Sequence, residues 1–476
     1  MKWIFTNLLL ILTISAFAQS SKPNILLIIS DDLTTTALGA YGNPMAKTPH
    51  IDHLASKGVI FQNAYSQYPV CGPSRASFMF GYYPNATQTY GYVSGRENVG
   101  DSKQSMAEFF KGKGYYTARV SKIYHMGVPI DIETGSDGQD DPASWTERFN
   151  SQGPEWTSEG FAELVQNNPN GSIERKGGNV MTIVHAENGD LTQSDGKTAE
   201  KAIQLLKTHK NKPFFLAVGL VRPHVPFVAP KEYFAHFPWE EIVPPPIVKG
   251  DLERIPEKGI NYVTTQNSEM SFAQKQKAIA AYYASVSFMD AQVGKILDAL
   301  KAEGLEDNTI VIFTSDHGFH LGEHDFWMKV SLKEESVRVP LILKGPGITS
   351  AKSNSLVELL DLYPTLSDLA GYGVPENLQG KSLKPILKNP SHKIRDFAFS
   401  VTHGGNSYLI RTDRWAYIQY GKNAEEGLEL FDMHQDPGQF QNLAKLDYYQ
   451  PIVKDMKDQL QKKLHEIQQN DLGKTY

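Results

Sequence analysis

A single cysteine stands in a chain of 476 residues, inside the run Cys71-Gly72-Pro73-Ser74-Arg75-Ala76-Ser77-Phe78-Met79-Phe80-Gly81. Pro73 at a favoured first helical position, with Gly81 as a stop, predicts a short helix beginning just after Cys71. The cysteine side chain then lies at a helix N-terminus, where unpaired N–H groups favour an anion. Arg75, one turn on, adds a fixed positive charge near the same face. Taken alone, a lone cysteine reads first as a small buried hydrophobe. Other segments carry reactive residue types of their own: Asp31-Asp32, Lys122 with His125, His224 between Pro223 and Pro226, and Asp316-His317 with Lys329. Together they offer carboxylates for a hard cation, positive groups for an anion and histidines for proton transfer. Sulfate-ester hydrolysis needs that inventory. A nucleophile must approach an anionic centre, cations must withdraw charge from its oxygens, and a poor alkoxide leaving group needs a proton. Phosphoryl transfer needs much the same, so residue types alone do not separate the two.

The elements that must position these groups are legible as an alternation. Asn24 to Ser30 is continuously apolar and rich in branched residues, a buried parallel strand with Asp31-Asp32 at its C-terminal end, where open α/β sheets place ligands. Thr48 to Gly58 reads as a helix, Val59 to Ala64 as a strand, Ser105 to Gly112 as a helix, and Tyr115 to Ile123 as a strand delivering Lys122 and His125. Gly196 to His209 reads as a helix and Pro213 to Leu220 as the strand before His224. The longest helix is expected from Met270 to Glu303, with Ile279, Tyr282, Val286, Met289, Val293, Ile296 and Leu300 as its core-facing stripe. Thr309 to Thr314 is a strand ending at Asp316-His317, Val339 to Leu343 another, and Val357 to Gly371 a helix. Residues 126–195 lack periodicity and read as substrate-facing loops, and 237–268 as a surface connector.

After about Pro385 the strands become shorter and more polar: Phe397 to Thr402, Ser407 to Arg411 and Trp415 to Tyr420. They predict an antiparallel sheet closed by a charged helix, Gln450 to Gln468. The expected fold is α/β: a large mixed, mostly parallel sheet between helices, plus a small C-terminal antiparallel sheet with a helix. The expected division is 1–18 leader, 22–385 catalytic domain and 386–476 C-terminal subdomain.

Lys2, the apolar run Leu8 to Phe17 and Ala16-Phe17-Ala18 before Gln19 describe a secretory signal peptide. Nothing later is apolar for long enough to span a membrane, and no cysteine follows the cut to carry a lipid, so a periplasmic or secreted protein without membrane insertion is expected. One cysteine allows no internal disulfide. The formal charge of −6, or −7 once Lys2 leaves with the leader, argues against nucleic acid as a partner; positive contacts to an anionic substrate must be concentrated in a pocket. Asn85-Ala86-Thr87 and Asn170-Gly171-Ser172 fit the glycosylation pattern.

Cys-x-Pro-Ser-Arg with glycine six residues on resembles the signature of type I sulfatases, and nearly the whole chain from Asn24 to Ala444 is similar to that family. Ser121-Lys122-Ile123-Tyr124-His125, Phe214 to Gly219 leading to Arg222-Pro223-His224-Val225-Pro226-Phe227, and Ser315-Asp316-His317-Gly318 with Leu321-Gly322-Glu323-His324 resemble the iduronate-2-sulfatase branch. Leu359 to Gly371, Leu430 to Pro437 and Asn442-Leu443-Ala444 are also sulfatase-like. The resemblance implies an alkaline-phosphatase-like sandwich and a sulfuric ester hydrolase. It further implies that Cys71 is converted to formylglycine by a formylglycine-generating or anaerobic sulfatase-maturating enzyme, the aldehyde hydrate being the nucleophile. Asp31, Asp32, Asp316 and His317 would bind Ca2+ in preference to Mg2+, His317 standing where many sulfatases have asparagine. Arg75 would hold the hydrate and His125 orient or deprotonate it; Lys122 and Lys329 would bind sulfate oxygens and His224 protonate the leaving oxygen. The implied substrate is a sulfated poly- or oligosaccharide with a 2-O-sulfated terminal uronate or xylose, from a glycosaminoglycan or an algal polysaccharide such as ulvan. The alternatives are a phosphonate monoester hydrolase or phosphodiesterase of the same superfamily, and an inactive polysaccharide-binding protein.

Overall fold

A computed structural model describes residues 22–165 and 180–474. The expected leader at 1–18 and the Asn170 triplet lie outside the described residues. No described helix is long and apolar enough to cross a membrane. Asn85, in the other glycosylation triplet, is buried with its side-chain amide on the Gly405 carbonyl at 3.1 Å, so the folded chain does not present it for modification.

The first strand, Asn24–Asp31, is buried along its whole length and sits near the centre of an eight-stranded sheet. In spatial order the strands are Ala351–Glu358, Val59–Tyr65, Arg338–Lys344, Thr309–Ser315, Asn24–Asp31, Phe214–Pro223, Tyr116–Ser121 and Glu147–Phe149. Every neighbouring pair is parallel except the two made by Arg338–Lys344, which runs against both its partners. Alternation along the first strand feeds two cores. Ile25, Leu27 and Ile29 pack with Phe78 and Phe80 of the cysteine helix, while Leu26 and Ile28 pack with the long helix Phe272–Ala302 and the helix Ser194–His209. The sheet is therefore covered by helices on both faces, as a nearly continuous apolar strand requires.

The seven stripe residues of the long helix, Ile279 to Leu300, are all buried. Its start is fixed by a capping box in which Ser271 Oγ accepts from Gln274 N and Gln274 Oε1 accepts from Ser271 N. The C-terminal sheet is antiparallel in the order Phe397–Thr402, Ser407–Thr412, Trp415–Tyr420, Gly427–Asp432. The helix Gln450–Gln468 shares a hydrophobic core with this sheet and the cysteine helix through Val453, Met456, Leu460 and Ile467.

Three expectations need correction. The helix expected from Val357 to Gly371 is shorter: Val357 and Glu358 close a strand, Ala351–Glu358, and one turn of 3-10 helix leads into the helix Leu362–Leu369. Lys352 and Asn354 are exposed and Ser353 buried, then burial is continuous from Ser355 to Glu358, and the strand is hidden in the sequence because Ser353, Ser355 and Glu358 are polar residues at buried positions. The strand Gly427–Asp432 was not expected; Glu429 lies buried within it, paired with Lys333 at 2.9 Å. The connector 237–268 is not wholly surface, since Asp251, Asn261, Val263 and Thr264 are buried, and the Asn261 amide donates to the Lys329 carbonyl at 2.8 Å.

Tyr282 ties the long helix to the loop carrying the acid pair: its hydroxyl donates to the Asp32 carbonyl at 2.6 Å and accepts from Thr34 N at 2.9 Å. Tyr282→Phe strands both buried backbone groups and is expected to lower unfolding free energy by about 1–3 kcal/mol in urea titrations. An unchanged midpoint would show that the hydroxyl carries no structural load.

Candidate active site

Parallel strands bring their C-terminal ends to one edge of the sheet. The antiparallel strand Arg338–Lys344 brings its N-terminal end, fed by Lys329, to the same edge. The segments expected to bear chemistry therefore meet there. Asp32 has φ +65, a left-handed conformation that aspartate tolerates, and this turn lets two successive carboxylates converge instead of alternating across the strand. One ligand atom each from Asp31, Asp32, Cys71 and His317, all buried, lies within 4.8 Å of the others.

The cysteine helix runs Cys71–Phe80 and ends on Gly81 at φ +77. It begins at Cys71 itself, so Pro73 is the third helical residue and not the first. Any position in the first turn accepts proline, because those N–H groups have no intrahelical partner. Arg75 is fully buried: Nε donates to Asp316 Oδ2 at 2.8 Å, Nη1 to the carbonyls of Lys122 at 2.5 Å and Ile123 at 3.0 Å, and Nη2 stands 3.5 Å from Asp31 Oδ1. Ser74 Oγ donates to the Asp316 carbonyl at 2.5 Å. One turn of helix thus pins three strand ends together. Gly219 makes a further contribution, since a Cβ there would lie 2.0 Å from the Lys122 carbonyl oxygen.

The Cys71 sulfur is 3.3 Å from both Lys329 Nζ and His317 Nε2, and 3.9 Å from Asp32 Oδ1. Lys329 Nζ donates to both Asp32 oxygens, at 2.7 and 3.0 Å, and Lys122 Nζ pairs with Asp31 Oδ2. His317 Nδ1–H donates to the Gly318 carbonyl at 2.9 Å, which leaves Nε2 to face Asp32 Oδ1 at 3.2 Å. His224 Nδ1–H donates to the Val225 carbonyl at 2.6 Å, and its Nε2 stands 3.8 Å from Asp32 Oδ2. His125 stacks on the Tyr92 ring at 4.2 Å between centroids, with an interplanar angle of 20°. The structure therefore joins all the expected residues except His125 by direct contact, and places His125 at the margin.

Burial alone would raise the Asp31 carboxyl, yet the positive charges of Lys122, Arg75 and Lys329 hold it well below the usual carboxylate range. Asp32 is pushed up by burial despite Lys329 and His317. Burial and the Asp31 charge push the Cys71 thiol well above its ordinary range, so at neutral pH the sulfur is a thiol and not the nucleophilic thiolate. Burial and the neighbouring lysines keep the His125 and His224 rings neutral.

A divalent cation fits this arrangement. The two oxygens of the buried Asp31 carboxylate are met by cationic groups, Lys122 Nζ and Arg75 Nη2, which mark the place as one that holds positive charge. Three carboxylates, Asp31, Asp32 and Asp316, face three cationic side chains, Arg75, Lys122 and Lys329, so the charges already balance, and a divalent cation on Asp31 and Asp32 would take over places now held by Lys122 and Lys329. Asp316 is less free than the others: Oδ1 accepts the N–H groups of Asp32 and His317 at 3.2 and 3.0 Å, and Oδ2 receives Arg75.

Two supporting residues were not anticipated. Asp195 accepts the N–H groups of Val221 and Arg222 at 2.7 and 2.9 Å, fixing the strand end before His224; it lies in the helix Ser194–His209, not in the loops to which it was allotted. Tyr92, which packs against Gly72 and His125, follows the cysteine helix with no distinguishing pattern.

The sulfatase family profile matches residues 23–372, and that of the N-sulphoglucosamine sulphohydrolase C-terminal region matches residues 322–466. A sulfatase from Formosa agariphila is 31% identical over 90% of this chain and 84% of its own length. Iduronate 2-sulfatase from Mus musculus is 33% identical over 90% of this chain and 77% of its own. Among solved structures, a 2-O GAG sulfatase superposes with TM-score 0.71 at 26% identity, covering 94% of this chain and 93% of that one. A phosphonate monoester hydrolase of Agrobacterium radiobacter shares the fold with TM-score 0.73 at 21% identity, covering 94% and 96%. The architecture is the alkaline-phosphatase-like α/β sandwich, and the chain belongs to the sulfatase family. It is a sulfuric ester hydrolase.

Lys329 is flanked by Met328 at φ +69 and Val330 at φ +71, and a β-branched residue in the left-handed region is strained. Val330→Gly relieves that strain and frees the segment presenting Lys329. It is expected to leave the melting temperature unchanged or raised while turnover falls severalfold. A fall in melting temperature with full turnover would show that the backbone there does not position the lysine.

Proposed function

We propose that this sulfatase hydrolyses sulfate esters of sulfated poly- or oligosaccharides, acting from the chain end on a 2-O-sulfated uronate or xylose, with Cys71 matured to formylglycine. The observation that carries this reading is the place of the Cys71 sulfur, 3.3 Å from both Lys329 Nζ and His317 Nε2 in a pocket of compensated buried charge. A thiol held protonated there is a poor nucleophile, which supports its replacement by another group. The hydrated aldehyde supplies one hydroxyl to attack sulfur and a second that lets the sulfated adduct collapse with release of sulfate. The similarity to iduronate 2-sulfatase and to a 2-O GAG sulfatase supports the 2-O assignment. A glycosaminoglycan or an algal polysaccharide such as ulvan would supply such an end, and the leader-like N-terminus supports periplasmic or secreted action.

Asp31, Asp32, Asp316 and His317 would hold the cation, calcium ahead of magnesium, since three of the four donors are hard carboxylates. When bound, the cation would supply positive charge that polarises sulfate oxygens. Lys122 and Lys329 are each engaged with a carboxylate in this structure. Once Asp31 and Asp32 are neutralised otherwise, both ammoniums are free to pair with sulfate oxygens and stabilise charge developing there. Arg75, held by Asp316 and two carbonyls, would bind the hydrate and His125 would orient or deprotonate it. His224 would deliver a proton to the leaving oxygen from Nε2, the nitrogen not committed to Val225; the neutral ring must first gain that proton when the anionic ester enters.

Protein produced with a maturating enzyme should yield a Cys71 peptide lighter than the thiol form and reactive toward hydrazides, and Cys71→Ser should abolish sulfate release. Full activity in Cys71→Ser would overturn the reading. Faster hydrolysis of phosphonate monoesters than of every sugar sulfate tried would assign the catalytic function to the alternative chemistry. Binding of a sulfated oligosaccharide without turnover by matured protein would leave only the binding protein.

Calcium should raise the melting temperature of the wild-type protein and chelation should reverse it. Asp31→Asn should abolish that response and lower turnover by more than the roughly 100-fold typical of losing a group that merely supports a ligand. A calcium response retained in Asp31→Asn would remove Asp31 from the ligand set.

A further inference from the structure

The charged pocket described above presents cationic groups suited to a sulfate group, and a sugar ring carrying that group would extend to the margin of the pocket. Two aromatic side chains stand at that margin. Tyr92 is 51% exposed and Tyr262 is 43% exposed, both among the large apolar or aromatic residues that the described fold leaves uncovered. They come from different parts of the chain, one from the segment after the cysteine helix and one from the connector before the long helix. Tyr92 packs over Gly72, where an added Cβ would lie 3.0 Å from the Tyr92 Cα, and one face of its ring is stacked on His125. The Tyr262 hydroxyl donates to the Met328 sulfur at 3.5 Å, next to Lys329, and the Asn267 amide holds the Tyr262 carbonyl at 2.8 Å. Tyr92 thus borders the residue after Cys71 and Tyr262 the residue before Lys329, and since Lys329 Nζ stands 3.3 Å from the Cys71 sulfur, the two rings flank the same pocket.

We infer that Tyr92 and Tyr262 form the platform that receives the pyranose ring of the sulfated sugar, Tyr92 through its ring and Tyr262 through its ring edge. A pyranose presents C–H groups on its faces and hydroxyls around its rim, which suits an amphipathic aromatic residue with an apolar body and a polar tip. The pair is not needed to bind free sulfate, whose contacts belong to Lys122 and Lys329. It therefore sets specificity for the sugar and not affinity for the anion. This inference rests on the sulfatase reading of the site.

The test measures sulfate release from a disaccharide with a 2-O-sulfated uronate at its non-reducing end, together with competitive inhibition by inorganic sulfate. Matured wild-type, Tyr92→Ala, Tyr262→Ala and Tyr262→Phe proteins would be compared. Each alanine variant should raise KM for the disaccharide roughly tenfold, the scale of a lost aromatic contact, while inhibition by inorganic sulfate stays at the wild-type level. Tyr262→Phe should keep most of the wild-type KM if the ring carries the contact. Unchanged KM in both alanine variants would overturn the platform, as would sulfate inhibition weakening in step with KM, which marks collapse of the anion pocket. A wild-type protein that hydrolyses no sugar sulfate would overturn the underlying reading and this inference with it; an active wild type with unaffected variants overturns the inference alone.

Discussion

The site depends on the buried guanidinium of Arg75. It holds Asp316 through Nε, the backbone after the Tyr116–Ser121 strand through Nη1, and approaches Asp31 through Nη2, all without solvent. A buried ion pair adds little net stability against an apolar substitute, but losing one partner strands the other at a cost of about 3–5 kcal/mol. The arrangement therefore acts as a constraint on geometry. Three strand ends keep their relative positions because any shift would leave a charge uncompensated. Lys122 and Lys329 extend the same logic, each ammonium matched to one carboxylate of the Asp31-Asp32 pair.

Strand direction explains why these residues can meet although nearly 300 positions separate Asp31 from Lys329. The first strand and its parallel neighbours all end at one edge, and the reversed strand Arg338–Lys344 starts there. Close approach at that edge needs glycine at position 219, where any side chain would meet the Lys122 carbonyl. It also needs left-handed residues at Asp32, Ser121, Met328 and Val330, which turn the chain within one residue of a functional side chain. The regular sheet thus supplies the frame, and local irregularity at its edge aims the groups.

How much of this was legible in the sequence follows from what kind of signal each feature leaves. Asn24 to Ser30 and Thr309 to Thr314 are apolar throughout because both faces are covered, so their identity and the acids after them could be read directly. The long helix was equally plain, its stripe being an unbroken helical period. Ala351–Glu358 was missed, and its last two residues allotted to the following helix, because Ser353 and Ser355 occupy buried positions where an apolar residue is the usual signal. Gly427–Asp432 escaped for a similar reason, its inward Glu429 being tolerable only beside Lys333, which is 96 residues away in sequence. Within the site, the reactive residues announced themselves by type and by motif. Asp195 and Tyr92 did not, because their roles are to hold a strand end and a ring, and only the folded chain shows what they touch.

The lone cysteine sits among opposing electrostatic influences. A thiolate would suit attack, and the helix N-terminus with Lys329 beside the sulfur would ordinarily favour one. Here the burial penalty and the Asp31 charge outweigh them, and the thiol stays protonated. The carboxylates responsible are the same ones that suit the pocket to a divalent cation, so the surrounding residues alone do not activate a thiol. A neutral hydrated aldehyde, as proposed for Cys71, needs no buried anion beside Asp31 before the substrate arrives, and the electrostatics of the surrounding residues are compatible with such a nucleophile.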